Sequence, residues 1–188
     1  REKTFGPNHP DTLLIVNNLG LIYHNKAEYE KAEKFFIRSI KGNEVALGKD
    51  HPKTLTYIGN LAMVFNHIGD YDQAEELYND VLFKREKTLG PNHPDTLLTV
   101  NNLGMLYYNK GDYEKAEALF RRSIEGNEVA LGKDHPMTLK CIGNLALLFN
   151  KIGVYDQAEE LNNDVLFKRE KTLGPNHPDT LLSVNNLG

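Results

Sequence analysis

The sequence has no tryptophan and one cysteine, Cys141, in 188 residues. A single thiol excludes an intrachain disulfide and fits a reducing compartment, so a cytoplasmic location is expected. Nowhere is there an apolar run of about 18 residues, the minimum for a membrane-spanning helix, and no membrane partner is expected. Positive charge is also scarce: 22 Lys and Arg face 26 Asp and Glu, for a net charge of −4. Nucleic-acid binding needs a basic stripe that displaces counterions, so that class is set aside. No stretch alternates apolar and polar residues, which argues against β-structure.

What the sequence has instead is repetition. The stretch NHPDTLLTVNNLG (Asn92 to Gly104) recurs almost unchanged at Asn8 to Gly20 and Asn176 to Gly188. Variants lie between, DHPKTLTYIGNLA from Asp50 and DHPMTLKCIGNLA from Asp134. The element Gly-x-x-His-Pro begins at Gly6, Gly48, Gly90, Gly132 and Gly174, a period of 42 residues. A longer period overlies it, because residues 1–84 and 85–168 differ at only 19 positions. Odd and even units therefore alternate in character. Fixed periods of this length mark stacked repeat architectures. The units run approximately 10–51, 52–93, 94–135 and 136–177, with a truncated fifth at 178–188 and residues 1–9 as the tail of a preceding helix. The chain starts at Arg1 in sequence that matches Arg85 and stops at Gly188 inside a motif, as expected of a piece of a longer protein.

Each unit parses into two helices. The first opens at Pro10, Pro52, Pro94, Pro136 or Pro178, where a missing N–H costs nothing. Its apolar residues, Leu13, Val16, Leu19 and Tyr23 in the first unit, recur every three to four positions. Gly69, Gly111 and Gly153 suit a left-handed turn at its end, where the first unit departs with Ala27. The second helix starts near Asp70 or Asp112 and in the third unit runs to about Leu131, with Gly132 as C-cap. Gly42 and Gly126 lie inside second helices, at a cost of about 1 kcal/mol each, so a close helix crossing or bend is expected there. Tyr23, Phe65, Tyr107 and Phe149 are expected to anchor the unit cores, with Gly20, Ala62, Gly104 and Ala146 allowing close approach of paired helices.

Leu103, Gly104, Tyr107, Gly111, Tyr113, Ala116 and Phe120 resemble the tetratricopeptide-repeat signature L-G-x-x-Y-x-x-x-G-x-Y-x-x-A-x-x-x-F. The 42-residue period, with the LG-x-x-HP-x-T connector and NNL in the first helix, is similar to the kinesin light chain repeat domain. The resemblance covers essentially the whole chain and implies an all-α, α-α superhelix of antiparallel helix pairs. The extra length relative to the usual repeat is expected in the second helix. Departures are Val16, Ile58, Val100, Ile142 and Val184 in place of the family's early tryptophan. The fourth unit has Asn162 where Tyr78 and Phe120 stand, and Val154 where Asp70 and Asp112 stand, so looser packing or a distinct contact is expected there.

A second stripe on the first helices is spaced 4, 3, 4 and falls on one face: Leu14, Asn18, Leu21 and Asn25; Thr56, Asn60, Met63 and His67; Leu98, Asn102, Met105 and Asn109; Lys140, Asn144, Leu147 and Lys151. The resemblance implies that these positions line a concave groove and that the repeated asparagine grips a bound peptide's main chain. A side-chain amide offers donors and an acceptor, and methionine makes an adaptable apolar floor. The alternative is structural: each of Asn18, Asn60, Asn102, Asn144 and Asn186 bonds the backbone of the neighbouring repeat. The preceding position, Asn17, Asn101 and Asn185 in odd units, is Gly59 and Gly143 in even ones, so it is the less regular partner. Lys140 and Lys151 confine any acidic preference to the fourth unit.

Catalytic chemistry is not legible. His9, His51, His93, His135 and His177 occur once per unit, expected about 10 Å apart and too far to share a metal, so a capping role is expected. Cys141 reads as a packed thiol, and LGKDHP lacks the ending of a phosphate loop. No enzyme activity, cofactor or metal is implied. The function expected is a scaffold that binds a peptide or partner protein. The alternative is head-to-tail self-association into superhelical filaments.

Overall fold

A computed structural model describes residues 6–185. Asn186, the last of the repeated asparagines, and residues 1–5 of the expected preceding helix lie outside them; residues 6–9 precede the first described helix. Among the described residues the chain is helical throughout, without strands. Two compact units meet in sequence between Thr88 and Leu89.

The first unit contains α1 (Pro10–Asn25), α2 (Tyr29–Leu47), α3 (Pro52–Ile68) and most of α4 (Tyr71–Leu89). In the second are α5 (Pro94–Lys110), α6 (Tyr113–Leu131), α7 (Pro136–Lys151), α8 (Tyr155–Leu173) and α9 (Pro178–Asn185). First helices of complete repeats have 16 or 17 residues and second helices 19, so the second is the longer of each pair. In the first unit α1 packs on α2 and α2 on α3, and α1 also touches α3. The second unit repeats this with α5, α6 and α7 and continues through α8 to α9.

The recurring connector has a physical explanation. The Nδ1 atoms of His9, His51, His93 and His135 accept the N–H two residues on, at 3.2, 3.2, 3.1 and 3.1 Å, which satisfies one of the orphan donors at each helix start. Thr54, Thr96, Thr138 and Thr180 donate back to the carbonyls of Gly48, Gly90, Gly132 and Gly174 at 2.8, 2.9, 2.8 and 2.9 Å. Glycine, histidine and threonine thus close one loop between successive helix pairs. These four histidines are caps, as expected, and no group of three or more metal-ligating side chains forms among the described residues.

The turn inside each helix pair is also shared. Asp70, Asp112 and Val154 donate their N–H to Phe65, Tyr107 and Phe149, each at 2.9 Å, around Gly69, Gly111 and Gly153 with φ of 83°, 81° and 82°. Glu28 makes the same bond to Tyr23 around Ala27, whose φ is 57°. A left-handed conformation costs an L-residue about 1–2 kcal/mol. Ala27→Gly should therefore stabilise the first unit by about 0.5–1 kcal/mol, net of glycine's greater chain entropy. Urea melts of the two proteins check this; a midpoint that stays put or falls contradicts it.

The core differs from expectation in one respect. Tyr23 and Tyr107 are only half-buried, whereas Phe36, Phe120 and Tyr78 are the largest fully buried side chains. The odd-unit anchors are therefore phenylalanines of the second helices. Phe65 and Phe149 are buried as expected. Gly42 and Gly126 mark close crossings, since a Cβ added there would lie 2.4 Å from Leu13 Cδ2 and 2.5 Å from Leu97 Cδ2. In the fourth repeat Tyr155 is exposed where Tyr29, Tyr71 and Tyr113 are half-buried, and Val154 provides no side-chain cap. That end of the helix pair is the less tightly covered one.

Candidate binding face

The stripe lies where the spacing puts it, on the accessible side of the first helices. In the first unit Asn18, Asn25 and His67 are exposed and Leu21, Asn60 and Met63 half-buried. In the second, Asn109, Leu147 and Lys151 are exposed and Asn102, Met105 and Asn144 half-buried. The opposite stripe, Leu13 and Val16 in α1 or Leu97, Val100 and Leu103 in α5, is buried. Met105 leans inward and packs at the edge of the cluster formed by Phe120, Leu145, Leu148 and Phe149.

The asparagines do not behave alike. Asn60 Nδ2 donates to Asn17 Oδ1 at 3.0 Å, and Asn144 Nδ2 donates to Asn101 Oδ1 at 2.9 Å. Asn17 and Asn101 are 4% and 1% exposed, so neither reaches a ligand. The inter-repeat bond is to a side-chain amide, where a backbone partner was expected. Asn18 and Asn102 have no hydrogen-bond partner among the described residues. The sequence carried the signal, because Asn17, Gly59, Asn101 and Gly143 alternate, but the spacing alone does not say which amides pair.

One feature of the face was missed. His24 Nε2 lies 3.2 Å from His67 Nδ1, and the rings meet edge to face with centroids 4.6 Å apart. His67 Nδ1 is also 2.8 Å from the Met63 carbonyl oxygen, and the Tyr29 ring stacks on His67 at 5.9 Å. The N–H of His67 Nδ1 donates to the Met63 carbonyl, which leaves His24 Nε2 facing it as an acceptor. Burial, and next the His67 charge, hold the His24 pKa below its ordinary value against the raising effect of the Asn25 hydrogen bond. A base whose folded pKa is depressed binds fewer protons folded than unfolded, so stability rises with pH across that window. The first unit should lose stability as pH falls below about 6.5, the unperturbed histidine value. Melts at pH 8 and pH 5 test this against His24→Tyr, which installs the residue found at Tyr108. If the substitution leaves the pH dependence unchanged, the assignment is wrong.

Cys141 is buried, with Asn127 Nδ2 3.7 Å from its sulfur, and burial pushes its thiol pKa up, away from nucleophilic use. Lys140 and Lys151 are both exposed on α7, the fourth repeat's first helix. Among the described residues, no helix is long and apolar enough to cross a membrane.

Paired helices, joined by one recurrent connector and in each unit presenting an accessible stripe, define an α-helical repeat protein. The tetratricopeptide-repeat family model matches residues 11–83, 84–128 and 97–167, and the chain belongs to that family. No curated protein matches the chain. Among solved structures it is similar to a P. anserina protein with nearly identical TPR-like repeats, assigned to the kinesin light chains, at 26% identity and a TM-score of 0.74 over 95% of this chain and 85% of that one. A point variant of the same protein gives 26% and 0.75, over 95% and 84%. BtubC (BKLC) from P. vanneervenii shares the fold at 24% identity and a TM-score of 0.72, over 90% of this chain and 68% of that one.

Proposed function

We propose that this chain is a cytoplasmic protein-interaction scaffold, similar to kinesin light chain, which holds an extended segment of a partner protein against its first helices. One observation carries the reading: an accessible stripe sets side-chain amides beside Leu21 and Met63, and beside Met105 and Leu147, on helices whose other stripe is core. Amides pair with main-chain N–H and C=O groups, and the apolar neighbours shield those bonds from water. No catalytic step is assigned, in keeping with a family of scaffolds.

The test is selection of binders from a displayed random-peptide library, followed by fluorescence anisotropy. Leu147→Glu changes an exposed side chain and should leave the melt intact. It should weaken selected peptides that contact the second unit by at least about tenfold, the loss expected when about 1.4 kcal/mol of contact energy is removed. No enrichment, or binding indifferent to changes on the face, sinks the reading.

A second reading, head-to-tail self-association, is favoured by the near-identity of residues 1–20 and 169–188. They differ only at Phe5 against Leu173 and Ile15 against Ser183. A contact that does not close on itself builds filaments. Light scattering decides: a mass constant at 21.3 kDa across concentration excludes it, and a climbing mass supports it.

A further inference from the structure

We infer that the cleft between α6 and α8 is a second docking site, which takes one apolar side chain carried on a basic segment of a partner protein. It lies apart from the stripe on the first helices and has a different chemistry.

All of its walls belong to the second unit. Ile142 and Leu145 of α7 form the floor, flanked by Ile124 of α6 and Leu161 of α8. Ile142 and Leu145 are buried, on the side of α7 away from Asn144, Leu147 and Lys151. An occupant of the cleft therefore leaves the accessible stripe of α7 untouched. The walls are braced from behind. Ile124 and Leu161 each pack on two core clusters, one built on Phe120, Leu145 and Phe149 and the other on Leu139, Ile142 and Val165. The fourth repeat, whose departures predict a distinct contact, supplies one wall through Leu161.

Size and charge set the occupant. The open volume is about 240 Å³. Sites for a drug-sized ligand or cofactor run to about 300–1,000 Å³, so this one suits a single branched or aromatic side chain. At the rim, Arg121 Nη2 lies 2.8 Å from Glu117 Oε1, and Lys168 Nζ lies 2.6 Å from Asp164 Oδ2. Those cations are already answered. Glu125 and Glu128, one turn apart on the α6 lip, form no ion pair among the described residues. Their carboxylates favour Lys or Arg beside the anchoring side chain and oppose acidic residues there.

The first unit supplies a contrast. At the positions equivalent to Ile124, Ile142, Leu145 and Leu161 it has Ile40, Ile58, Leu61 and Leu77, whereas Glu125 is replaced by Lys41. Ile40 and Leu77 pack on the cluster of Leu55, Ile58 and Val81, so the apolar set is a packing requirement and recurs. The acidic lip is not required by packing, and it does not recur.

Methyl-detected NMR of the full chain, titrated with acetylated and amidated tripeptides, tests the site. Lys-Phe-Lys should move the methyl signals of Ile124, Ile142 and Leu161 saturably in the millimolar range, and Lys-Ala-Lys, which lacks the anchor, should not. Glu-Phe-Glu should bind at least about threefold more weakly than Lys-Phe-Lys, and added salt should narrow the gap. Glu125→Lys changes an exposed side chain to the residue found at Lys41 and should remove the preference. Glu125→Lys/Glu128→Lys should reverse it. Methyl signals that ignore Lys-Phe-Lys, or that respond as strongly to Lys-Ala-Lys, overturn the docking site. Equal responses to the two phenylalanine peptides, or a preference unaltered in both variants, overturn the basic partner. None of these outcomes bears on the stripe of the first helices, whose reading stands or falls separately.

Discussion

Gly104→Leu is expected to unfold the third repeat at temperatures where the rest of the chain is still helical. A Cβ at this position would sit 2.6 Å from Phe120 Cε1 and 2.7 Å from Cδ1. Phe120 is fully buried and has nowhere to move. Overpacking a well-filled core costs about 1–3 kcal/mol for modest additions, so alanine alone should be felt and leucine should exceed that range. The fourth repeat supports the argument. It carries Ala146 at the equivalent position and, sixteen residues later, Asn162 where the odd repeats carry Phe36 and Phe120. Gly20 meets Phe36 as Gly104 meets Phe120, with the added Cβ 2.6 Å from the ring. Phe120→Leu, which shortens the side chain, should therefore rescue part of the loss in Gly104→Ala. Circular-dichroism melts measure both effects. A Gly104→Leu melt that superimposes on the parent rules the argument out.

Leu97→Ala should be nearly as damaging for the opposite reason. Leu97 is fully buried in α5, and its Cδ2 would lie 2.5 Å from a Cβ at Gly126. Truncation of a buried leucine to alanine costs about 2–5 kcal/mol, the spread reflecting how far the site collapses. Gly126 is what admits this leucine so close to the α6 backbone. Gly126→Ala should therefore destabilise, although alanine is favoured over glycine inside a helix by about 1 kcal/mol. The two substitutions should compensate in combination, because the new methyl group fills space that the lost isopropyl group vacated. Urea denaturation of the two single variants and the double variant gives the coupling. If Gly126→Ala stabilises the protein, the close crossing is not a constraint.

The helix ends were legible because the residues that set them act locally. Proline at the first helical position, histidine at the N-cap and glycine or Ala27 at the left-handed turn need only their own neighbours in the chain, and the helices begin and end at them. The accessible stripe was legible for a similar reason, since a spacing of three and four residues fixes a helix face. Core depth was not. Tyr23 and Phe36 both lie on apolar stripes, yet only the phenylalanine is fully enclosed, and that depends on which neighbouring helices converge on each ring.

The asparagines show the same division. Sequence alone determined a 42-residue all-helical repeat, the face on which each asparagine stands, and the alternation of Asn17 and Asn101 with Gly59 and Gly143. Only the tertiary structure decided that Asn60 and Asn144 spend their amides on Asn17 and Asn101. Helix capping and facing follow from torsion angles and hydrogen bonds within a few residues. An amide pair spanning 43 residues forms only if two separate helices pack so that the donor and acceptor atoms come within about 3 Å, and no local pattern specifies that distance.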